Sequence, residues 1–517
     1  MTTLSKIKLK QGLHRESTQY EEEGKWYDGN HVRFRSGKPE NMRGYETKVS
    51  TAFDGSARDL LTYQSANNKK RAVFGTPDKL YEHDGDRIVD ITPIVTAVTL
   101  ANVFGTSSGS TRVCCSDTSH NQKVGNYVYF TSTATFNAVS LSTNVYPIVS
   151  VDSTNVFTIS VTDAANATAS DVGSATFNYL LPTGNSIATG GLGYGAAAFQ
   201  ATVCASQTRA WNEAASADAS DIVFDISQWS LDNWGDDVVA NRSGGNIYYF
   251  ESDASTVPIR ATSVTSSPVS VNSIVVSPND RHLICLGANS YNATSTVNGP
   301  FDPMLVRWSD QDDRTNWVPS LTTTSGEVVL TDGTKIIGGL RSRNAIHIWT
   351  DNAMWTMQFV GPPFTFRFTP AGTNCGMIAQ HAAVDYNGIS YWMGYDNFYK
   401  YDGQVRVLDC TVRRFIFDRL ATKYKAKVYT GVNSEFKEII WLYASDESGV
   451  TECDSYVIFS PENNYWTYGT GVFTTFEDKE VFGNTITTGT SINDDGDSTG
   501  NNKLFNNEPA DYYTENN

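Results

Sequence analysis

A chain of 517 residues is too long for one ordinary core, so a large domain with at least one satellite is expected. Its formal net charge of −17 excludes a sequence-independent nucleic-acid binder, which needs clustered Lys and Arg to displace phosphate counterions. Apolar residues at 40% suffice for a core, while charged residues at 18% give way to Gly, Ser, Thr and Asn, as in turn-rich all-β chains.

In chain order, residues 1–50 open with an extended charged segment. Val32 and Phe34 read as a strand whose exit is the turn Ser36–Gly37–Lys38–Pro39, and Arg33 and Arg35 stand against Glu21–Glu23 as a candidate patch. From Asp59 to Ile91 the runs DLLTY, RAVFG, DKLYEHDG and RIVDIT alternate with short turns, the rhythm of a propeller blade. The pair KLYEHDGDRIVDIT at 79–92 and NFYKYDGQVRVLD at 397–409 is an internal repeat. Each runs an aromatic strand into an Asp-Gly turn and a return strand that reaches an Asp.

Residues 96–181 change character: Thr, Ser, Val and Asn dominate and tryptophan vanishes. Strands are expected at TRVCCSDT, NYVYFTST, YPIVSVDS, NVFTISV and ATFNYLL, forming a small β-barrel or sandwich spliced between blades. The Gly-rich run ATGGLGYGAAAF reads as re-entry rather than a dinucleotide fingerprint. Blades resume at 201–300, with SVNSIVVSPNDRHLICLG as a hairpin turning on Pro278–Asn279–Asp280.

Between Asp302 and Gly469, four stretches each read as a hairpin: VRWSDQDDRTNW, HIWTDNAMW, ISYWMGYDNFYKYDG and VIFSPENNYWTYG. Beyond Gly469 the chain reads as polar and loop-like, so the N-terminal strand closes the ring unless strands are missing. Helical periodicity is confined to Ala196–Gln200 and Val412–Lys425. The expected fold is all-β, a β-propeller with an inserted small β-barrel or sandwich domain. Its parts are residues 1–95 (arm and first propeller strands), 96–185 (insert) and 186–517 (remaining blades and closing segment).

Seven cysteines (Cys114, Cys115, Cys204, Cys285, Cys375, Cys410 and Cys453) form an odd count without metal or framework spacing, and read as reduced thiols. The seven histidines stand singly, and no cofactor or metal is expected. SDQDDRTNW at 309–317 is similar to the Asp-box of sialidases but lacks its central glycine, and adjacent carboxylates in a turn are solvated rather than paired for acid–base work. DDGDSTGNN at 494–502 lacks the calcium-loop register. No apolar stretch is long enough to span a bilayer. The chain is expected not to be an enzyme.

Four segments resemble a known family: GLHRESTQYEEEGKWYDGNHVRFRSGKPENMRGYE near the N-terminus, QWSLDNWGDDVVANRSGGNIYYFE at 228–251, VRWSDQDDRTNWVPS at 306–320 and GGLRSRNAIHIWTDNAMWTMQFVG at 338–361. Together they look like the tail hub or nozzle proteins of short-tailed bacteriophages, including the packaged-DNA stabilisation type. The resemblance implies a virion protein made in the host cytoplasm. It implies a homo-oligomeric, hexameric ring below the portal and adaptor that lines the DNA exit channel and anchors fibres or tailspikes. DNA would pass without sequence-specific binding, past a wall whose acidity eases its movement. Loops 36–44, 309–316 and 361–370 are partner-contact candidates, and so are the residues Arg33, Arg35, Asp310, Asp312, Arg314, Arg341, Arg343 and Phe364. The alternative is a carbohydrate-binding or glycan-degrading propeller acting on a host surface.

Overall fold

Alternating apolar and polar residues between Gly, Asn and Asp turns dictate short antiparallel strands, and the strands gather into seven four-stranded sheets. The structure, a computed structural model, describes residues 9–507 except 182–225, 227, 253–259, 493–497 and the short gaps 43, 50, 66, 78, 86, 121, 123–125, 295–296, 479–480 and 483–484. The Gly-rich run at 188–199 and the helix expected at Ala196–Gln200 lie outside the described residues.

Numbered in chain order, blade 1 comprises Asp59–Gln64, Lys70–Gly75, Leu80–His83 and Ile88–Asp90. Blades 2 to 6 begin at Trp229, Val271, Ile336, Ala383 and Tyr429. Blade 7 combines Phe473–Glu477, Ile486–Ile492 and Ser498–Asn507 with the N-terminal strand Tyr45–Thr47, which pairs with 505–507. The ring is therefore closed by the N-terminal strand, and the segment beyond Gly469, expected as loop, is a blade. The first strand of each blade neighbours the first strand of the next, with Phe473–Glu477 returning to Asp59–Gln64. That order is a seven-bladed propeller.

The internal repeat falls at equivalent places, the outer strand pairs of blades 1 and 5. Three of the four expected hairpins form, turning at 351–352, 394–397 and 461–464. VRWSDQDDRTNW does not: Val306–Trp308 ends one strand, and the following residues are a long connection to Gly326–Val329. The acceptors on Asp310 hold that connection as a loop. The Val412–Lys425 region holds a helix at Arg413–Arg419 and a 3-10 turn at Thr422–Lys427.

Tryptophans lock neighbouring blades. Trp349 of blade 4 and Trp392 of blade 5 pack at 5.4 Å between ring centroids, and Phe398 of blade 5 sits 4.9 and 4.8 Å from Trp441 and Trp466 of blade 6. A buried indole N–H favours an acceptor: Trp441 finds Ala382 O at 3.2 Å and Trp466 finds Asp409 O at 2.9 Å, both on the preceding blade's segment, whereas the Trp349 N–H has no hydrogen-bond partner. The Trp229 indole lies over Gly75, where a Cβ would approach ring atoms to 2.3 Å.

A second compact unit holds the described residues from Thr92 to Leu181 with Arg260–Thr262. Six of its strands (Ile94–Thr106, Arg112–Ser116, Val156–Ser160, Val145–Ser153, Tyr127–Phe130 and Ala169–Leu180, in that order) close into a barrel. Phe104, Phe130, Phe157 and Phe177 fill it. The sequence reading missed its long first strand and the hairpin 134–141. Cys115, Cys285, Cys375, Cys410 and Cys453 are buried free thiols, but Cys114 is disulfide-bonded, against the expectation of a wholly reduced set.

The arm before the closing strand lies on blade 6. Arg33 and Arg35 lie two apart on Val32–Arg35 and so share a face, but Arg33 is buried while Arg35, at the strand's end, is exposed. Arg33 is 6% exposed and makes a bidentate pair with Glu438 at 3.0 and 2.7 Å, its guanidinium lying 3.4 Å from the Phe436 ring. It is an internal anchor, and this corrects its reading as a partner contact. Glu22 pairs with Lys25 at 2.6 Å, not with Arg33. Replacing Arg33 by Ala strands a buried carboxylate and is expected to cost about 3–5 kcal/mol in urea unfolding. The double variant Arg33→Met with Glu438→Leu should recover most of that loss. A single variant within about 0.5 kcal/mol of wild type, the range of an ordinary surface change, would contradict the anchor.

Candidate functional site

The first strand of every blade is a sheet edge facing the propeller axis, and its outward N–H groups have no strand to pair with. For blades 2 and 3, side chains of the preceding blade supply acceptors. Asp59 Oδ2 accepts from Leu231 N at 2.7 Å; Ser230 Oγ accepts from Ile274 N at 3.0 Å; Asp232 Oδ2 accepts from Val276 N at 2.7 Å. The same carboxylates accept from the N–H of their own next residue, Leu60 at 2.9 Å and Asn233 at 2.8 Å. Burial pushes both carboxyls up. His381 and the two N–H donors oppose this at Asp59, and Arg341, 3.3 Å away, opposes it at Asp232. These acids stitch blades together.

At one end the axis is closed by bonds that skip blades. His381 Nε2 and Gln380 Nε2, both just ahead of blade 5, lie 2.8 and 3.0 Å from Trp229 O of blade 2. Tyr429 Oη of blade 6 donates to Asp59 of blade 1 at 3.4 Å, with the His381 ring stacked 5.3 Å away. Outside this layer, Glu452 of blade 6 takes Arg58 through two bonds of 2.7 Å and Lys427 at 2.6 Å. Toward the other end a pocket of about 690 Å3 remains, lined by residues of all seven blades.

Arg341 and Arg343 belong to this pocket. Asp310, Asp312, Arg314 and Phe364 gather elsewhere, at the outer corner of blades 2 to 4. Asp310 Oδ1 accepts from Thr324 Oγ1 at 2.6 Å, Thr324 N at 2.8 Å and Gln311 N at 3.0 Å. Burial would raise its carboxyl, yet these bonds outweigh it and hold Asp310 below the usual range. Buried His282 links this turn inward, through Thr324 Oγ1 at 3.0 Å and a close contact with Asp280. Asp312 pairs with Arg281 at 2.8 Å, and Arg314 reaches Asp237 at 3.4 Å over the Tyr249 ring. Phe364 tips the hairpin Ala353–Gly361 and Thr365–Thr373, whose Thr365 Oγ1 donates to Thr324 O at 3.0 Å. Loops 309–316 and 361–370 are thus one corner. Loop 36–44 is separate: exposed Arg35 pairs with Lys38 across the turn Ser36–Gly37.

Sequence reasoning missed the axial acids and His381. Their signal was an acid or serine inside an otherwise apolar inner strand, as in WSLDNW. Among the described residues no three His, Cys, Asp or Glu side chains form a metal site, and no helix is long and apolar enough to cross a membrane.

No protein-family model matches the chain, and no curated protein does. Among solved structures, it is similar to the computationally designed Ika8 protein, at 9% identity and a TM-score of 0.37, over 90% of this chain and 100% of that one. It is also similar to an ancestral GH74 enzyme (10%, 0.35, 89% of this chain and 60% of that one) and to phage phi92 endosialidase (11%, 0.20, 75% and 53%). At such TM-scores the likeness says nothing about activity.

The buried cations on Glu452 give a pH signature. Burial first, then neighbouring Arg58, pulls Lys427 down to about 8, against Glu452, which raises it. Between that value and the ordinary 10.5 the unfolded chain holds more protons than the folded one, so stability should rise with pH across the window. Buried thiols and tyrosines, whose raised values act in the opposite sense, are common to both proteins, so in urea unfolding from pH 7.5 to about 10.5 wild type should gain stability relative to Lys427→Met. Identical slopes in both proteins would mean that Lys427 keeps its ordinary titration.

Proposed function

We propose that this chain is a structural subunit of a short-tailed phage tail, a hub or nozzle protein that assembles head to tail into a ring around the DNA exit path. The resembling segments 228–251, 306–320 and 338–361 fall in blades 2, 3 and 4, consecutive members of the propeller. One observation carries the reading. Phe364, 79% exposed, and exposed Val360 crown the hairpin that is bonded to the loop bearing exposed Val318 and Leu321.

That corner is apolar, outward-facing and held on a rigid scaffold, as a subunit contact requires. Closed rings use such a surface against a different surface of the next copy. The axis of each propeller is plugged by Gln380, His381 and Tyr429, so the DNA path belongs between subunits rather than through one. The acidic chain, at −17, would repel DNA along that path.

The test is the solution mass by light scattering, alone and with a candidate portal–adaptor assembly, against the 56.8 kDa monomer. Wild type should form a ring, alone or on the adaptor. Phe364→Asp with Leu321→Asp should leave a folded monomer with an unchanged circular dichroism spectrum. A wild-type monomer that ignores the adaptor, or a ring untouched by the double variant, would overturn the assignment of this corner.

A further inference from the structure

The axial pocket, at about 690 Å3, falls in the range of small-molecule sites, and its wall is acidic. Asp59, Asp232, Asp385, Glu477 and Asp478 stand on it against two guanidiniums, Arg341 and Arg343, a formal excess of three negative charges. Arg341 is already engaged by Asp232 at 3.3 Å. A recess walled by one sign of charge focuses its field, drawing cations in and turning anions away.

Two buried hydroxyls on the same wall lack a partner. Ser273 of blade 3 and Thr430 of blade 6 are 2% and 6% exposed, and neither side-chain oxygen has a hydrogen bond. The wall's other serines are bonded: Ser230 to Ile274 O, Ser342 to Asp385 and Ser434 to Asp478. A buried hydroxyl left unpaired costs the fold stability, and a ligand rich in N–H donors removes that cost.

The spacing of the acids selects the kind of cation. They are spread over blades 1, 2, 5 and 7, and among the described residues no three His, Cys, Asp or Glu side chains form a metal site. Half-buried Leu340 and Val384 and buried Val432 give the same wall apolar surface. A cation that reaches several of these acids must be long, carry its charges apart and be apolar between them. A linear aliphatic polyamine has that form: its ammonium groups donate only, and methylene runs separate them.

We infer that the axial pocket binds a linear polyamine, its ammonium groups donating to wall carboxylates and to the hydroxyls of Ser273 and Thr430. This goes beyond the ring-subunit reading and does not depend on it.

The experiment is calorimetric titration of the full chain with spermidine, putrescine and magnesium chloride at one fixed ionic strength. Spermidine should bind saturably and more tightly than putrescine, and magnesium should not displace it. Asp385→Asn and Thr430→Val should each weaken spermidine by about tenfold, the usual effect of losing a hydrogen bond to a charged group. Thr430→Val should leave the free protein at least as stable in urea, because the hydroxyl it removes has no partner there. Asp418→Asn, an exposed acid on the helix Arg413–Arg419, should change nothing. Should Asp385→Asn fail to fold, Thr430→Val and Ser273→Ala carry the test. No saturable spermidine binding, displacement by magnesium, or a loss in Asp418→Asn equal to that in the wall variants would each overturn the inference.

Discussion

Seven sheet edges converge on the propeller axis, and satisfying their outward N–H groups is the constraint on which the rest of the structure depends. A propeller buries the faces of its sheets by packing blades together, but it cannot pair the inner strands, which diverge from one another. Asp59, Ser230 and Asp232 solve this locally by reaching one blade over to the backbone of the next. Each such bond does two things at once. It removes an orphan donor, worth more in avoided desolvation than in net bond strength, and it fixes the register between blades that share no ladder. The acids are held away from water, and burial raises their carboxyls because the charged form loses hydration.

The outer edges are managed differently. Blade 6 is covered by the N-terminal arm, anchored by Arg33 on Glu438, and blade 7 receives its last strand from Tyr45–Thr47. The arm therefore protects one edge on its way to completing another. Linking the first residues of the chain to its last blade also means that the ring cannot open at its seam without releasing the arm. Blade 4 is left with a nine-residue outermost strand, Thr365–Thr373, which carries Pro370 and begins beside exposed Phe364. A proline on an open strand discourages uncontrolled pairing, while the apolar tip leaves contact by side chains available.

Much of the fold was legible because its signals are local. Period-two alternation and Asn, Asp and Gly turns mark the strands of blades 1, 4, 5 and 6, and the DG repeat joins blades 1 and 5. The N-terminal strand as ring closer was one of two options left open. What escaped had non-local causes. Phe473–Glu477 and Ser498–Asn507 are rich in Thr and Asn, and become strands only because neighbouring blades accept them. Arg33 looked like a surface charge because its partner lies 405 positions away. Asp310 sat in a turn of acids that reads as solvated, yet it organises the connection through Thr324, fourteen residues on. The axial acids escaped for the same reason: Asp59 at a strand start looks like a turn residue, and Asp232 inside WSLDNW like a solvated position, until the next blade's backbone is seen against them.

The closed axis and the exposed corner bear on function from opposite directions. A propeller whose centre were open would offer a conduit, and its acidity would then concern whatever passed through. Here Gln380, His381 and Tyr429 cross from blades 5 and 6 to blades 1 and 2, so the centre is a cup. The cross-axis bonds brace the disc against shear between opposite blades. A rigid disc cannot adapt its perimeter to a partner, so specificity has to be built into protruding loops and hairpins. The Val318–Leu321 loop and the Phe364 hairpin meet that requirement, since His282, Asp310 and Thr324 tie both to the interior before either reaches solvent. The polar network beneath the corner is thus what makes its apolar surface usable.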